Sequence, residues 1–447
     1  MPETKLLFRS PFISPDNAIA SSSLMIWDQS ISFSPEDSDE KLASLPSTPA
    51  VFQLRGDDPA AEPYVGKTAN LQKRLQRLLS PASPDSKRLN LRERTRTIEY
   101  TLTGSDFENR LLLYRVLKET FPHSFRKRMK LIPSALVKVG WENEYPRAYF
   151  TRRLSRIPPF PTSGKSGAPM VSSVYYGPFA SKVAANKFLN DALDLFKSRR
   201  CTFNIHPDPS FPGCMYSEMK MCLAPCYGGC TREEYVKEVE RVQQYLDSRA
   251  ESLVSELAAE RDTASAQLEF EKAASIHERI EKVKAPWNGV PELVGRLDLF
   301  SAVIVQKSAP ADHVSLFLFR EGLLYGPVQF SVQGMMHPNP GAGSTSLFAH
   351  PHVAEPVPLE GAKALPKPKP QNLESRVAAA LAEIETRKPE RGEVADHLAL
   401  LKRWYYRKTR KGEIFLSHSG ELPLRRIVRG ISRVFRGEAE EQPKPLP

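Results

Sequence analysis

Residues 49–79 constrain the fold of this chain more than any other stretch, because their apolar pattern changes from strand-like to helix-like within a short distance. Residues 51–54 are β-prone, residues 56–59 supply turn chemistry, and Tyr64 and Val65 resume the extended pattern. From position 71 onward, leucines recur at helical spacing on one face and arginines on another. The stretch predicts strand, turn, strand and helix, with leucines packed on the hairpin and arginines directed at an anion.

Charge and length narrow the function classes. A chain of 447 residues should hold two or three domains, and its formal net charge of +11 favours a polyanionic partner, nucleic acid before a membrane surface. No apolar run is long enough to span a bilayer, and the first twenty residues lack a signal-peptide core. We therefore expect a soluble cytoplasmic protein that has no membrane partner.

The pattern along the chain predicts an α+β fold. A strand is expected at residues 30–33, a capping box at Thr231 and Glu234, and one long helix at about residues 251–283. We divide the chain into a weakly structured leader at 1–44, a small α/β domain with a mixed sheet at 45–130, linker strands and a cysteine module at 131–230, a helical region at 231–287, a strand-rich segment at 288–335, and a linker with a C-terminal helical region at 336–447.

All five cysteines lie between positions 201 and 230, a range too narrow for a general disulfide framework. Four of them, separated by twelve, seven and three residues, can converge on one soft cation in tetrahedral geometry. Spacing alone allows an iron–sulfur cluster or zinc equally, and reduced buried cysteines are the structural alternative. The predicted metal ligands are Cys201, Cys214, Cys222 and Cys226, with Cys230 as a bystander thiol.

The stretch around position 270 combines an aromatic residue with acidic and small neighbours. Phe270 lies between two glutamates, and the following alanine pair permits close approach of another helix. An ordinary amphipathic helix in a two-helix hairpin is the structural alternative. We interpret the stretch as a partner-binding surface with an apolar anchor and a charged rim, formed by Leu268, Phe270, Glu271 and Ala274.

Several separate stretches resemble the UvrC family of bacterial nucleotide excision repair. Residues 49–52 and 64–67, with Asn70 and Arg74, are similar to its GIY-YIG nuclease domain. Residues 176–179 and the cysteines resemble the family's cysteine cluster and the segment before it. Residues 268–280 are similar to the UVR motif, and residues 318–326 to the strand segment after it. The resemblance covers about residues 45–332, and residues 336–447 show no trace of the family's RNase H-like and helix-hairpin-helix domains.

The resemblance implies DNA and a UvrB-like protein as partners, the latter through the UVR-like hairpin, and an iron–sulfur cluster at the cysteines. It also implies phosphodiester cleavage assisted by a tyrosine, a lysine and an arginine, which match Tyr64, Lys67 and Arg74. Asn70 and Arg77 on the same helix are expected to contact DNA. For a tyrosine and arginines taken alone, the structural alternative is a packed strand residue and a solvated helix face.

Two positions depart from the family pattern. Phe52 stands where the family has a tyrosine, so the phenolic oxygen is missing. The metal-binding glutamate lies nine residues before a proline, which here is Leu113 before Pro122, and a leucine cannot hold a divalent cation. Either another carboxylate such as Glu99 substitutes, or the site does not cut DNA by the family's mechanism. Mg²⁺ or Mn²⁺ is expected only in the first case, and we adopt the second.

Basic clusters account for much of the positive charge and fit a DNA-binding track better than scattered solvated faces. In the C-terminal region, Trp404, Tyr405 and Tyr406 are interleaved with basic residues between positions 402 and 411 and could stack bases, with buried aromatics as the alternative. The prediction is a DNA- and UvrB-binding protein with a weakened GIY-YIG site. An active metal-dependent endonuclease and a non-catalytic UvrB adaptor remain alternatives. Besides the stretch at 402–411, the basic clusters on which the DNA-binding prediction rests lie at 87–96, 126–130, 152–156 and 197–200.

Overall fold

The computed structural model describes residues 27–36, 39–58, 60–81, 89–154, 173–333, 372–384, 386–387, 390–417 and 421–438. Three expectations from the sequence lie outside these residues: the first part of the leader, a Pro-, Ser- and Gly-rich loop that the composition predicts at 157–167, and a Pro-, Gly- and His-rich linker that it predicts at 336–371. The chain forms two compact units, Met1–Leu102 and Thr103–Pro447. The domain limits drawn from the sequence otherwise stay predictions.

The first unit is built on a four-stranded antiparallel sheet in the order β1-β4-β2-β3. The leader therefore contributes its predicted strand to this sheet. The sheet is antiparallel throughout the described strands, so the expectation of a mixed sheet was wrong. The elements are β1 (Gln29–Ser32), α1 (Asp39–Ala43), β2 (Ala50–Arg55), β3 (Tyr64–Thr68), α2 (Leu71–Leu79), a 3₁₀ turn (Arg92–Arg94) and β4 (Thr97–Leu102).

Helix α2 forms where the leucine spacing predicted it. Its side chains Leu71, Leu75, Leu78 and Leu79 are buried in one apolar core with Phe52 and residues of β4. Asn70 caps the helix, because its Oδ1 accepts a hydrogen bond from the backbone N–H of Lys73 at 2.9 Å. The local sequence thus fixes both where α2 begins and which face it buries.

The second unit opens with two helices and a second antiparallel sheet, in the order β6-β5-β7-β8. The predicted capping box is confirmed: the Thr231 N–H donates to Glu234 Oε2 at 2.9 Å, and the Glu234 N–H to Thr231 Oγ1 at 3.2 Å. The elements are α3 (Asp106–Thr120), α4 (Phe125–Met129), β5 (Ala135–Gly140), β6 (Arg147–Thr151), β7 (Val174–Phe179), α5 (Lys182–Leu193), α6 (Met215–Glu218), α7 (Arg232–Asp247), α8 (Glu251–Ala266), α9 (Phe270–Lys284) and β8 (Gly295–Arg296).

Residues 251–284 form a helical hairpin, α8 and α9, where the sequence had predicted one long helix. The chain reverses at residues 267–269, and Leu268 adopts a left-handed backbone with φ of +63°. Because no glycine marks the break, local sequence gave no turn signal there.

The C-terminal part of the second unit is a third antiparallel sheet, in the order β11-β10-β9-β12. Strand β12 pairs with β9, so residues 336–447 are not only helical, as predicted, but complete the sheet begun in the strand-rich segment. The elements are β9 (Ser301–Lys307), β10 (His313–Arg320), β11 (Leu323–Ser331), α10 (Leu373–Ala382), α11 (Arg391–Tyr405), β12 (Glu413–Ser417) and α12 (Leu424–Arg436).

A buried polar network joins α11 to α3 and α4. The Asp396 carboxylate is 4% exposed and accepts two hydrogen bonds from the Arg126 guanidinium, at 2.8 and 3.0 Å. The Tyr114 hydroxyl donates to the same carboxylate at 3.3 Å. The next residue on α11, His397, is 3% exposed, and its Nδ1 accepts a hydrogen bond from the backbone N–H of Leu324 at 2.8 Å. Helix α3, predicted as part of the nuclease-like domain, thus packs with C-terminal elements.

The overall α+β class agrees with the sequence prediction, and the α8–α9 hairpin is the one that the UVR resemblance implied, although the apolar pattern alone had predicted a single helix there. Within the described residues, none of the helices has the length and apolar character needed to cross a lipid bilayer.

Candidate functional site

The first candidate site lies where β3 meets α2. The Arg74 guanidinium donates a hydrogen bond from Nη2 to the Tyr64 hydroxyl oxygen at 2.9 Å. Both side chains are half-buried, so the guanidinium is held in place while part of it stays accessible. Arg77, one turn further along α2, is exposed. A positioned guanidinium beside a phenol can neutralise a phosphate and hydrogen-bond to it.

Phe52 lies directly under this pair. Its ring is fully buried, its centroid is 6.1 Å from that of Tyr64, and it pairs across the sheet with Gly66. A Cβ at Gly66 would lie 3.0 Å from Phe52 Cζ, so the glycine lets the strand pass close over the ring. The position that holds a tyrosine in the UvrC family is therefore an apolar core position in this chain.

The sheet register separates Glu99 from this pair. Leu54 is paired with both Tyr64 and Ile98, whereas Gln53 is paired with Val65 and Glu99. Because directly opposed residues share a face and successive residues alternate, Glu99 lies on the other face of the sheet from Tyr64. There it accepts hydrogen bonds from Gln53 Nε2 at 3.3 Å and Arg55 Nε at 2.9 Å. Glu99 as a substitute metal ligand beside Tyr64 was therefore a wrong expectation.

The same alternation applies to other predicted site residues. Lys67 is paired with Val51 and lies on the face opposite Tyr64, so the structure brings together Tyr64 and Arg74 but not Lys67. Asn70 uses its side-chain oxygen as the cap of α2. Leu113 is half-buried on α3, in the second unit.

The cysteine module fills residues 197–230 and packs against α7. Arg199 is 2% exposed and organises it, since its guanidinium donates to the carbonyl oxygens of Tyr145 at 3.0 Å and Phe203 at 2.7 Å. The Cys201 sulfur lies 3.7 Å from Arg199 Nη1. The Cys222 sulfur accepts a hydrogen bond from the backbone N–H of Ala224 at 3.3 Å. Cationic and N–H donors thus face two of the predicted ligands.

The four predicted ligands lie near one another. Burial raises the pKa of the Cys222 thiol to about 11, and the neighbouring sulfurs of Cys201, Cys214 and Cys226 act in the same direction. Cys230 is not among the sulfurs that act on Cys222, and it packs against the main core of this unit, as Cys201 also does. Among the residues that the structure describes, however, no three or more His, Cys, Asp or Glu side chains are arranged so that they could hold a metal ion. The donor set fits a thiophilic metal or cluster in chemistry and proximity, but not in ligand geometry.

The hairpin presents two large apolar side chains to solvent. Leu268 is 72% exposed and Phe270 is 64% exposed, while Ile276, Ile280 and Val283 on α9 are buried. Glu271 and Ala274 are exposed on the first turns of the same helix. Exposed apolar residues at a turn, beside charged residues, are typical of a protein-binding surface.

The interleaved aromatic residues near the C-terminus do not form a stacking platform. Trp404 is 3% exposed and Tyr405 9%, and the Trp404 indole N–H donates to the carbonyl oxygen of Lys411 at 3.2 Å. The Tyr406 hydroxyl donates to the carbonyl oxygen of Pro178 at 3.0 Å. The proposal that these rings stack on bases was therefore wrong, and the alternative of buried aromatics holds.

Comparison with known families agrees with this geometry. The family model described as the UvrC/Cho excinuclease middle domain matches residues 137–245, from β5 to α7. The model described as the UvrB/uvrC motif matches residues 251–285, which is the α8–α9 hairpin. The chain is UvrC-like. The residues that match the UvrC middle domain thus include β6, β7, most of β5 and the cysteine module, and those that match the UvrB/uvrC motif expose Leu268 and Phe270.

Curated relatives are named UvrABC system protein C. The relative from Carboxydothermus hydrogenoformans is 31% identical over 330 residues, covering 72% of this chain and 50% of the relative. That from Rickettsia rickettsii (strain Sheila Smith) is 31% identical over 274 residues, covering 60% and 39%, and that from Rickettsia bellii is 29% identical over 297 residues, covering 65% and 43%. The chain spans about half, or less, of the length of these UvrC relatives. No solved structure gave a significant match.

Proposed function

We propose that this UvrC-like chain is a cytoplasmic nucleotide excision repair protein that binds DNA and docks on a UvrB-type protein through its helical hairpin. One observation carries the proposal: the segment that matches the UvrB/uvrC motif folds as a hairpin whose turn exposes Leu268 and Phe270. Apolar anchors of this kind, rimmed by charged side chains, contribute most of the affinity in many protein interfaces.

Binding to UvrB can be tested with the full chain and a bacterial UvrB protein. Phe270→Ala should weaken the complex by roughly 30-fold, since burial of an anchoring aromatic contributes about 2 kcal/mol or more. His277→Ala, an exposed change on the same helix, is the matched control and should leave the affinity unchanged. Equal affinities for Phe270→Ala and the wild type would contradict docking through the hairpin.

We propose further that the Tyr64–Arg74 pair holds a DNA phosphate and that its catalytic capacity is weakened. The hydrogen-bonded guanidinium supports phosphate binding. The buried ring of Phe52 and the opposite-face position of Glu99 support weak or absent cleavage. The DNA-contacting roles of Lys67, Asn70 and Arg77 belong to the same proposal.

A second candidate is an active endonuclease, favoured by the intact Tyr64–Arg74 contact. Incubation of the full chain with nicked or damaged duplex, UvrB and Mg²⁺ or Mn²⁺ distinguishes the active endonuclease from the weakened site. Metal-dependent cleavage that Arg74→Ala or Tyr64→Phe abolishes would establish the enzyme, with a loss of about 10²–10³-fold if the arginine stabilises the transition state. DNA and UvrB binding without cleavage under either metal supports the weakened site.

We also propose that Cys201, Cys214, Cys222 and Cys226 hold an iron–sulfur cluster, with zinc as the alternative. The proximity of the four sulfurs supports this ligand set. Protein purified without oxygen should show iron-type visible absorption and bound iron, or bound zinc without colour. Cys222→Ser should remove the metal, whereas Cys230→Ser is the matched control. Full metal content in Cys222→Ser would overturn the assignment.

A further inference from the structure

Helix α12 carries five arginines and no acidic residue along its thirteen positions. Successive residues turn by about 100° around a helix axis, which places all five arginines within an arc of roughly 100°. The stripe runs from one end of the helix to the other. We call this set the arginine face: Arg425, Arg426, Arg429, Arg433 and Arg436.

Packing fixes the direction in which the arginine face points. The opposite side of α12 is buried and includes Ile427, Gly430, Ile431 and Val434. At Gly430 the helix passes so close to the sheet that a Cβ would lie 2.1 Å from the Phe415 ring. The helix therefore cannot rotate to hide its arginines, and Arg425, Arg426, Arg429 and Arg436 are exposed.

Few of these charges are neutralised by strong contacts. Arg433 is bound to Glu413 on β12, with Nε and Oε1 2.6 Å apart. Arg425 reaches Glu374 at 3.3 Å and Arg436 reaches Glu438 at 3.4 Å, both at the surface, where such pairs contribute little. Arg426 and Arg429 have no acidic partner within hydrogen-bonding or ion-pair distance among the described residues. Two guanidinium groups, those of Arg425 and Arg436, can therefore exchange weak surface partners for phosphates, and those of Arg426 and Arg429 can bind phosphates directly.

We propose that the arginine face of α12 binds the sugar–phosphate backbone of DNA without sequence preference. The five arginines extend over about 16 Å of helix, and one DNA strand presents roughly five phosphate charges over that distance. A helix that binds a membrane surface exposes apolar side chains for insertion, whereas the apolar side of α12 is covered by the sheet. Charge and burial together favour nucleic acid.

This inference rests on the proposed function, because it adds a second place at which the same DNA is held. The first place, Tyr64 with Arg74, offers one positioned guanidinium. The arginine face offers several guanidiniums whose effect is mainly electrostatic. The two therefore differ in how binding responds to salt, because each neutralised phosphate releases counterions.

The test measures the affinity of the full chain for a duplex by fluorescence anisotropy at several salt concentrations. The triple variant R426Q/R429Q/R436Q should lower the slope of log K against log salt by roughly 2.7, and should weaken binding roughly tenfold at physiological salt. The charge-retaining variant R426K/R429K/R436K should keep the wild-type slope. Circular dichroism and melting temperature verify that each variant is folded.

A matched control removes three exposed lysines from helices α7 and α9, which also expose acidic residues. This variant, K237Q/K282Q/K284Q, should change the affinity less than twofold. An unchanged slope in R426Q/R429Q/R436Q would overturn the inference while leaving the proposed function standing, provided that the wild type binds the duplex. A wild type that binds no DNA would overturn both. Loss of binding to anionic phospholipid vesicles with unchanged DNA binding would assign the face to membranes instead.

Discussion

The first and third sheets of this protein use the same parts to present arginines, but in different ways. Each is a four-stranded antiparallel sheet with a helix packed on it by aliphatic side chains, α2 in one case and α12 in the other. In the first sheet, one arginine is fixed by a hydrogen bond to Tyr64. On α12, most of the arginines are exposed and loosely partnered.

This difference in how the arginines are held distinguishes a specific phosphate-binding site from a general electrostatic binding surface. A fixed guanidinium can select the geometry of one phosphate, and its contribution depends on the partner that holds it. A stripe of exposed guanidiniums attracts a polyanion through summed charge and depends on the salt concentration. We infer that the first sheet positions DNA and that α12 adds affinity.

Among the changes that test this comparison, the largest effect on stability is expected at Gly430. Gly430→Val should destabilise the second unit by about 3 kcal/mol, because the added side chain cannot fit between α12 and Phe415. Chemical denaturation followed by circular dichroism measures the change. Gly437→Ala is the control at the helix end, where no atom lies within 4 Å of a Cβ and only the left-handed backbone at φ +78° opposes it, for about 1 kcal/mol. Equal effects of the two variants would contradict the close packing of α12.

A somewhat smaller effect is expected in the first sheet. Phe52→Tyr should cost about 2 kcal/mol, because it buries a hydroxyl in an apolar core beside Gly66. The same variant should not restore metal-dependent cleavage. Gain of cleavage in Phe52→Tyr would mean that the Tyr64–Arg74 site lacks only this hydroxyl. The active-endonuclease interpretation would then replace that of a weakened site.

Acid should weaken the second unit through His397. Burial lowers the pKa of this imidazole to about 3, well below its usual value near 6.5. Between these values the unfolded state binds a proton that the native state does not, so stability falls as pH decreases from about 6.5 towards 3. Near pH 5.5 the loss is about 1.4 kcal/mol. Glu393, Arg115, Lys118 and Arg387 surround the ring. Burial opposes ionisation of Glu393, but the hydrogen bond from Arg387 and the charge of Lys118 hold its pKa below the usual value.

Hydrogen exchange at pH 7.5 and 5.5 measures this acid effect separately for each unit. Amides of β11 and α11 should lose protection, whereas amides of the first sheet should not. His397→Gln should flatten the pH dependence. An equal loss of protection in both units would show that His397 is not the source.

The smallest effect is expected at Tyr64. Tyr64→Phe should weaken DNA binding by a factor of about five, since a partly exposed hydrogen bond to a charged group contributes about 1 kcal/mol. The salt slope should stay unchanged because no charge is removed. A changed slope would mean that the first sheet acts as a charged surface, as we propose for α12, and the distinction between them would disappear.

Local sequence predicted the elements whose signals are local. The leucine spacing of α2 and the capping box at Thr231 both appear in the structure as expected. The exposure of Phe270 also followed from its acidic neighbours. These features depend on residues within a few positions of one another, so a single sequence contains enough information to find them.

Features that depend on residues far apart in the sequence could not be predicted from local patterns. Strand β12 is only five residues long and gains its place by pairing with β9, more than a hundred positions earlier. The face occupied by Glu99 depends on the register of three strands. Trp404 and Tyr405 have the composition of a stacking platform, and only the tertiary packing shows that they are buried. The arginines of α12, by contrast, recur at helical spacing without an acidic residue among them, which is a local signal.

The most direct test of the central claim is assembly of the full chain with a bacterial UvrB protein and duplex DNA, followed by mass photometry. We expect a complex that contains all three for the wild type, and one with DNA but without UvrB for Phe270→Ala. Assembly of UvrB with Phe270→Ala as strongly as with the wild type, or absence of both DNA and UvrB from the wild-type complex, would contradict it.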